Sequence, residues 1–335
     1  MKKIITLICI IICTLILIPS SVCAQAMGTD REVIVGGSLF GARMQTDGAL
    51  VVGLDKVSPQ GNGTPKAPAY DGGMRLKDIF TEINGKTVVD VKTVAEEING
   101  SNGSEITVKV KRNGIEKTLR ITPIKDKEGK YKAGIWIRDE ASGIGTVTYI
   151  IPETGEFAGL GHGICDGDTG ALLPIKRGIV SDAELIGIIK GIKGTPGELK
   201  GAIGTDKKGA LIKNTESGVY GIFAHIPNSL TVKMKIADKN ELKEGKAILR
   251  CSASGSIDDY EIEISQINNL DGASKNFVIK VTDQRLLELT GGIVQGLSGS
   301  PIIQNGKLIG AVTHVKIAEP TEGYGIFIEN MLNAA

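Results

Sequence analysis

A serine held between glycines, in the run Gly296-Leu297-Ser298-Gly299-Ser300-Pro301, is the arrangement in this chain best suited to covalent chemistry. Glycine turns a backbone tightly enough for the N–H groups of Gly296 and Ser298 to point into one space beside the Ser298 hydroxyl. Two donors aimed this way make an oxyanion hole, and loss of one from such a site costs about 2.7–4 kcal/mol of transition-state stabilisation. The residues after the serine separate one hydrolase fold from another. An α/β-hydrolase elbow reads G-x-S-x-G and opens a helix. Here Ser300 replaces the second glycine, Pro301 follows, and Ile302 to Gln304, Asn305-Gly306 and Lys307 to Val312 read as strand, turn and strand. Read alone, the same run also suits a glycine-rich hairpin carrying an ordinary surface serine.

A serine hydroxyl needs a base, and histidine serves because its proton affinity lies near neutrality. Three candidates exist. His162 sits in Gly161-His162-Gly163 at a strand end, His225 lies in the apolar run Gly221 to Ile226 and reads as a core residue, and His314 ends the strand after the serine hairpin. The G-x-S-G-S-P run is similar to the G-D-S-G-G-P signature of chymotrypsin-like double β-barrels, which implies Ser298 rather than Ser300 as nucleophile. Such proteases draw their base from the N-terminal barrel, which favours His162. The carboxylate that orients the imidazole is not chosen by spacing. Asp283 is equally the N-cap of a short helix from Gln284 to Leu289, and Asp166, Asp168, Asp258 and Asp259 stay open.

Composition bounds the reading. With 39 Lys and Arg against 38 Asp and Glu, the net charge of +1 gives no electrostatic reason for a nucleic-acid partner. A chain of 335 residues suggests about two domains. Glycine, at 45 residues without a Gly-X-Y period, points to many turns and a mainly β chain. Three histidines and no CxxC or HExxH spacing argue against zinc, so neither a metal nor an organic cofactor is expected. Of five cysteines only Cys165 and Cys251 lie beyond the leader, and they read as unpaired thiols.

Lys2 and Lys3 precede an apolar run from Ile4 to Ile18, so residues 1–26 read as a signal peptide or membrane anchor. Val22-Cys23-Ala24 and Ala24-Gln25-Ala26 suit a signal peptidase, and Val22 speaks against lipidation at Cys23. Next comes a small β-rich module. Asp78 to Ile83 alternates and ends in the hairpin turn Asn84-Gly85, Asp90 caps a helix whose apolar face is Val91, Val94, Ala95 and Ile98, and Glu105 to Lys111 turns at Asn113-Gly114 into Lys117 to Ile121. The run Gly73 to Lys86 resembles the G-x-x-x-x-D-x-I-x-x-I-N-G signature of PDZ domains. That resemblance implies a PDZ-like domain over residues 33–124, with a peptide groove between the strand after Ser38-Leu39-Phe40-Gly41 and the helix from Asp90 to Asn99. Gly41 and the insertion at residues 55–72 depart from the pattern and weaken strict carboxylate recognition. From Ala133 onward, short β-branched runs such as Thr146 to Ile150 and Gly178 to Ser181 read as a barrel, making residues 133–335 the second domain.

Across nearly its whole length the chain resembles the stage IV sporulation protein B peptidases, most specifically in Thr282 to Leu287, Gly291 to His314 and Gly323 to Glu329. The resemblance implies a chymotrypsin-like serine endopeptidase behind a PDZ domain, with His162, Asp283 and Ser298 as triad and the N–H groups of Gly296 and Ser298 as oxyanion hole. It also implies self-cleavage and cleavage of a membrane-bound inhibitor of the intramembrane protease that activates the late mother-cell sigma factor. The implied place is the space between the spore membranes, reached by export from the forespore, with the N-terminal segment touching the membrane. The competing expectation is an anchored, non-catalytic PDZ scaffold with a degenerate barrel.

Overall fold

In the computed structural model, which describes residues 31–267 and 274–335, short β-branched runs between glycine and asparagine turns form strands throughout. The expected leader at residues 1–26, with Cys9, Cys13 and Cys23, lies outside the described residues. Strands β1 (Glu32–Val35) and β2 (Leu39–Leu54) come first. Then follow α1 (Pro68–Asp71), β3 (Ile79–Ile83), β4 (Lys86–Thr87), α2 (Val91–Gly100), β5 (Ile106–Arg112), β6 (Ile115–Ile121), β7 (Ile124–Lys125) and β8 (Tyr131–Lys132). The long strand β9 (Ile135–Ile150) leads into β10 (Glu156–Gly159), β11 (Ile175–Ile189), β12 (Glu198–Thr215), β13 (Gly218–Phe223) and β14 (Lys233–Lys235). The C-terminal part holds β15 (Gly245–Cys251), β16 (Asp258–Ser265), β17 (Phe277–Val281), α3 (Gln284–Thr290), β18 (Pro301–Gln304), β19 (Lys307–Val315), β20 (Glu322–Phe327) and α4 (Ile328–Ala334).

Two rings of strands close. In the first, β9, β10, β13, β12, β11 and β2 pair in that order, and β2 returns to β9. Its alternating apolar positions meet inside, where the Phe157 ring lies 5.6 Å from Phe40 and 4.5 Å from Phe223. In the second, β15, β16, β17, β20, β19 and β18 form a closed barrel around Leu249, Ile262, Ile279, Leu297, Ile302 and Val312. The chain is therefore mainly β, with a chymotrypsin-like double barrel and a PDZ domain.

The PDZ module is spliced into the first barrel. Leu39 to Gln45 of β2 pairs with Thr146 to Glu140 of β9 inside the barrel, whereas Leu50 to Leu54 pairs with Arg138 to Ile135 inside the module. Both strands are 16 residues long and run through both bodies, so a boundary at residue 33 differs from the pairing. Alternation in a strand shows which face is buried but not which partner buries it. The groove expected along the strand after Ser38-Leu39-Phe40-Gly41 is displaced for the same reason, since Ala42 to Gln45 pair with β9 and β11. A groove of about 570 Å³ lies instead between α2 and residues 133–137, lined by Val91, Val94, Ile98, Ile135 and Trp136.

Local signals within the module hold. Asn84 (φ 49) and Gly85 (φ 79) make the β3–β4 turn, and the Asp90 carboxylate accepts the Thr93 N–H at 2.6 Å to cap α2. The buried Asp78 carboxylate takes two bonds from the Arg112 guanidinium, at 2.7 and 2.8 Å, and one from the Arg75 N–H. Removing one partner of a buried ion pair leaves the other charge uncompensated. Arg112→Met should therefore destabilise the module by about 3 kcal/mol. Amide exchange in α2, β3 and β5 measures it, and unchanged protection there would contradict the role given to this pair.

Candidate active site

The loop before β18 is shaped by its hydrogen bonds to β9. The Thr146 N–H donates to the Ser298 carbonyl (3.0 Å), the Thr146 hydroxyl to the Gly296 carbonyl (2.8 Å) and the Thr148 hydroxyl to the Gly299 carbonyl (2.7 Å). With those carbonyls turned toward β9, the Gly296 and Ser298 N–H groups make no hydrogen bond to any described residue. Gly299 (φ 91) is required by space as well as by conformation, because a Cβ there would lie 2.1 Å from the Thr146 carbonyl oxygen. The Ser298 hydroxyl donates to the Thr313 carbonyl at 2.8 Å, so in this resting arrangement its proton is held by β19. Ser300 is fully buried and its hydroxyl has no partner.

His162 follows β10 after two residues with positive φ, Leu160 (68) and Gly161 (66). Its Nδ1 lies 2.9 Å from the Gly163 carbonyl oxygen. A carbonyl only accepts, so Nδ1 carries the hydrogen and Nε2 keeps the lone pair a general base needs. Burial pulls the ring below its usual proton affinity, partly offset by that carbonyl. The His314 ring lies 4.8 Å away, centroid to centroid. Its pKa is pushed down to about 4, first by burial and then by the positive charges of His162 and Lys275.

Ser298, His162, His314 and Gly296 line one cleft of about 770 Å³ between the barrels. The other expected residues are elsewhere. Asp283 caps α3, where its carboxylate accepts the Arg285 N–H at 2.9 Å and the Glu261 N–H at 3.2 Å and pairs with the Arg285 guanidinium at 2.7 Å. It does not line the cleft and has no contact with His162, so the cap reading describes its position here. Asp258 bonds Ser254 and Asp259 pairs with Arg250, both on β16. The buried Asp166 pairs with Arg138 at 2.6 Å and accepts the Thr169 and Asp168 N–H groups, holding the loop after His162. Asp168 also meets Arg138, at 3.2 Å. His225 is exposed rather than in the core, since Gly221 to Phe223 completes the strand and the chain then leaves the barrel. Cys165 is exposed and Cys251 buried, both as free thiols. Among the described residues, no group of three or more His, Cys, Asp or Glu side chains could hold a metal ion, and no helix is long and apolar enough to cross a membrane. Glu216 also lines the cleft, a placement that no sequence spacing announces.

Comparison with known proteins matches residues 129–332 to the family described as SpoIVB peptidase S55, and residues 62–112 to the PDZ domain. The Lactococcus lactis protein LL2128, which carries the name of a zinc metalloprotease, is 40% identical over 68 residues, 20% of this chain and 16% of that protein. The chain thus spans about a sixth of the length of the curated relatives it matches. A PDZ domain of the Listeria monocytogenes SdrC-like protein is 23% identical, covering 27% of this chain and 87% of that one with a TM-score of 0.23. The active form of the Mycobacterium tuberculosis protease Rv3671c is 14% identical, covering 58% of this chain and 73% of that one with a TM-score of 0.36.

The Arg285 guanidinium holds the Asp283 carboxyl below its ordinary value of 3.8. A depressed carboxylate contributes stability above the unfolded value and loses it as pH falls through the folded one. Asp283→Ala should therefore lower the unfolding free energy by about 1–2 kcal/mol at neutral pH. The difference from wild type should shrink in denaturant titrations at about pH 3. A difference that is constant across pH would show that the ion pair contributes nothing.

Proposed function

The chain belongs to the SpoIVB peptidase S55 family, and from that footing we propose that Ser298 and His162 carry out its serine endopeptidase chemistry. The observation that carries this reading is the single cleft holding a glycine-flanked serine, two unpartnered N–H groups and an imidazole with a free Nε2. When a peptide enters, the Ser298 hydroxyl turns from the Thr313 carbonyl toward Nε2. Oγ attacks the peptide carbonyl carbon as its proton passes to His162, and the Gly296 and Ser298 N–H groups hold the oxyanion. His162 returns the proton to the leaving amine, and water then releases the acyl group by the same steps in reverse. No step calls on a metal or an organic group.

The substrates in this reading are the chain itself and a membrane-bound inhibitor of the intramembrane protease that activates the late mother-cell sigma factor. The PDZ groove presents them, and the site of action is the space between the spore membranes after export from the forespore. Support for the finer reading comes from the family match and from the basic and apolar leader at residues 1–26, which suits export or anchoring. The apolar groove beside α2 fits an extended peptide added to the edge of β9.

Full-length protein in detergent should label with a fluorophosphonate at Ser298 and release self-cleavage fragments visible by mass spectrometry. Ser298→Ala should lose at least about 10⁴-fold of the cleavage rate while staying folded. Because burial lowers the proton affinity of His162, the acid limb of kcat/KM should have its midpoint below the ordinary imidazole value of 6.5. Wild type that is folded yet neither labelled nor cut would reject the catalytic reading. Wild type that cuts itself but leaves the inhibitor's exported domain intact would reject the substrate reading alone.

A further inference from the structure

A peptide held for cutting has two halves, and the donors at Gly296 and Ser298 fix where its acyl half lies. The carbonyl oxygen they hold belongs to the residue before the scissile bond, so the side chain of that residue falls against whatever flanks the donors on the second barrel. Two segments do so. Val294 and Gln295 lead directly into Gly296, and β19 runs along the far side of the loop, where the Gly299 N–H donates to the Val312 carbonyl and the Ser298 hydroxyl to the Thr313 carbonyl, each at 2.8 Å. Beyond Thr313 the His314 ring stacks toward His162, and the half-buried Val315 lines the same cleft as Ile293, Val294 and Ser298.

The space between these segments is closed at its base. Ile293 is 2% exposed, and a Cβ on Gly323 would lie 3.2 Å from its Cγ1 and 3.5 Å from its Cγ2. Gly323 pairs with Val315 across β19 and β20, so the Ile293 side chain fills the floor beside Val315. The segment carrying Ile293 has no room to draw back. Its N–H donates to the Pro320 carbonyl at 2.7 Å, the Gln295 N–H donates to the Gly197 carbonyl at 2.9 Å, and the Gln295 carbonyl accepts the Leu199 N–H at 2.8 Å. Gly292 runs so near Pro320 that a Cβ there would come within 2.1 Å of the Pro320 carbonyl oxygen. The wall is also uncharged. Among the described residues, the one carboxylate lining the cleft is Glu216, on the turn between β12 and β13 of the first barrel, and no lysine or arginine lines it.

We propose that the cleft selects a small aliphatic side chain, alanine or valine, in the residue before the scissile bond, with Ile293 setting the depth of the pocket and Val315 its width. The inference deepens the peptidase reading and rests on Ser298 being the nucleophile. An alanine or valine side chain gains apolar contact with Ile293 and Val315 and asks for no space below them. A phenylalanine ring would have to push Ile293 out of a close-packed position, where the backbone on either side is fixed by hydrogen bonds. A lysine or glutamate would lose water and meet no opposite charge on this wall.

The test exposes the full-length chain in detergent to peptidyl diphenyl phosphonates that differ only in the side chain next to phosphorus, alanine, valine, phenylalanine, lysine or glutamate, and follows modification of Ser298 by mass spectrometry. In wild type the better of the alanine and valine compounds should react at least about 100-fold faster than each of the other three. Ile293→Ala should raise the phenylalanine-to-valine rate ratio by about tenfold or more. The ratio is taken within one variant, so a general loss of activity cancels and a merely structural role for Ile293 leaves it unmoved. Should Ile293→Ala not fold, Val315→Gly is read by the same ratio. A wild type that reacts fastest with the phenylalanine, lysine or glutamate compound would overturn the proposal, as would an unchanged ratio in a folded variant. A small alkyl fluorophosphonate, which carries no peptide side chain, separates the two failures. Wild type that takes it at Ser298 but treats all five phosphonates alike rejects the proposed selectivity alone, whereas wild type that takes none of the reagents rejects the serine-peptidase reading itself.

Discussion

Thr146 and Thr148 of β9 grip three carbonyls of the Ser298 loop, and the rest of the cleft follows from that grip. A typical hydrogen bond contributes about 0.5–1.5 kcal/mol net, so the three bonds matter less as energy than as orientation. With its carbonyls committed to the first barrel, the loop of the second barrel leaves the Gly296 and Ser298 N–H groups without a partner beside the cleft. The grip needs near contact of two backbones, which only glycine permits at position 299. The two unpartnered N–H groups are therefore placed by contacts across the two barrels, and neither barrel places them alone.

The same strand reaches further than the cleft. Residues 135–137 of β9 form one wall of the PDZ groove, residues 141–145 line the cleft, and residues 146–148 hold the serine loop. Between these stretches stand Arg138 and Asp139. Arg138 is bound to Asp166 in the loop after His162, and the Asp139 carboxylate accepts the Val91 N–H at the first turn of the groove helix at 2.8 Å. Groove and cleft are thus joined by the unbroken backbone of β9, opposite which β2 bulges between Gln45 and Leu50, and by two adjacent side chains bonded at opposite sites.

Much of this was legible in the residues. Asn84-Gly85, Asn113-Gly114 and Asn305-Gly306 mark hairpins because asparagine and glycine tolerate positive φ, and Asp90 marks the start of α2 because its carboxylate satisfies a free N–H. The serine hairpin was legible from the proline and strand that follow it. The extent of β2 and β9 was not, since their alternation is the same in the barrel and in the module and only the partner changes. Nor was the short helix α4 at the C-terminus, whose packing on β19 and β20 is a tertiary matter. Among the acids, Asp283 sits in a helix-start pattern that shows its local partner, whereas Glu216 has no local pattern. Its place in the cleft lining comes from the turn between β12 and β13, a tertiary matter.

A module inserted between two strands of a barrel is held differently from one carried on a single linker. A flexible tether sets an effective concentration that depends on its length. Here the connection is a two-stranded ribbon of β2 and β9, and length of tether does not enter. From Trp136 in the groove to Gly143 in the cleft is seven strand positions, on the order of 20 Å at the rise of a β-strand. The ribbon therefore acts as a ruler. In the proposed peptidase reading, a polypeptide seated in the groove would meet Ser298 at a separation set by the architecture, so that distance along the bound chain would select the bond presented for cutting, alongside the side chains that flank it.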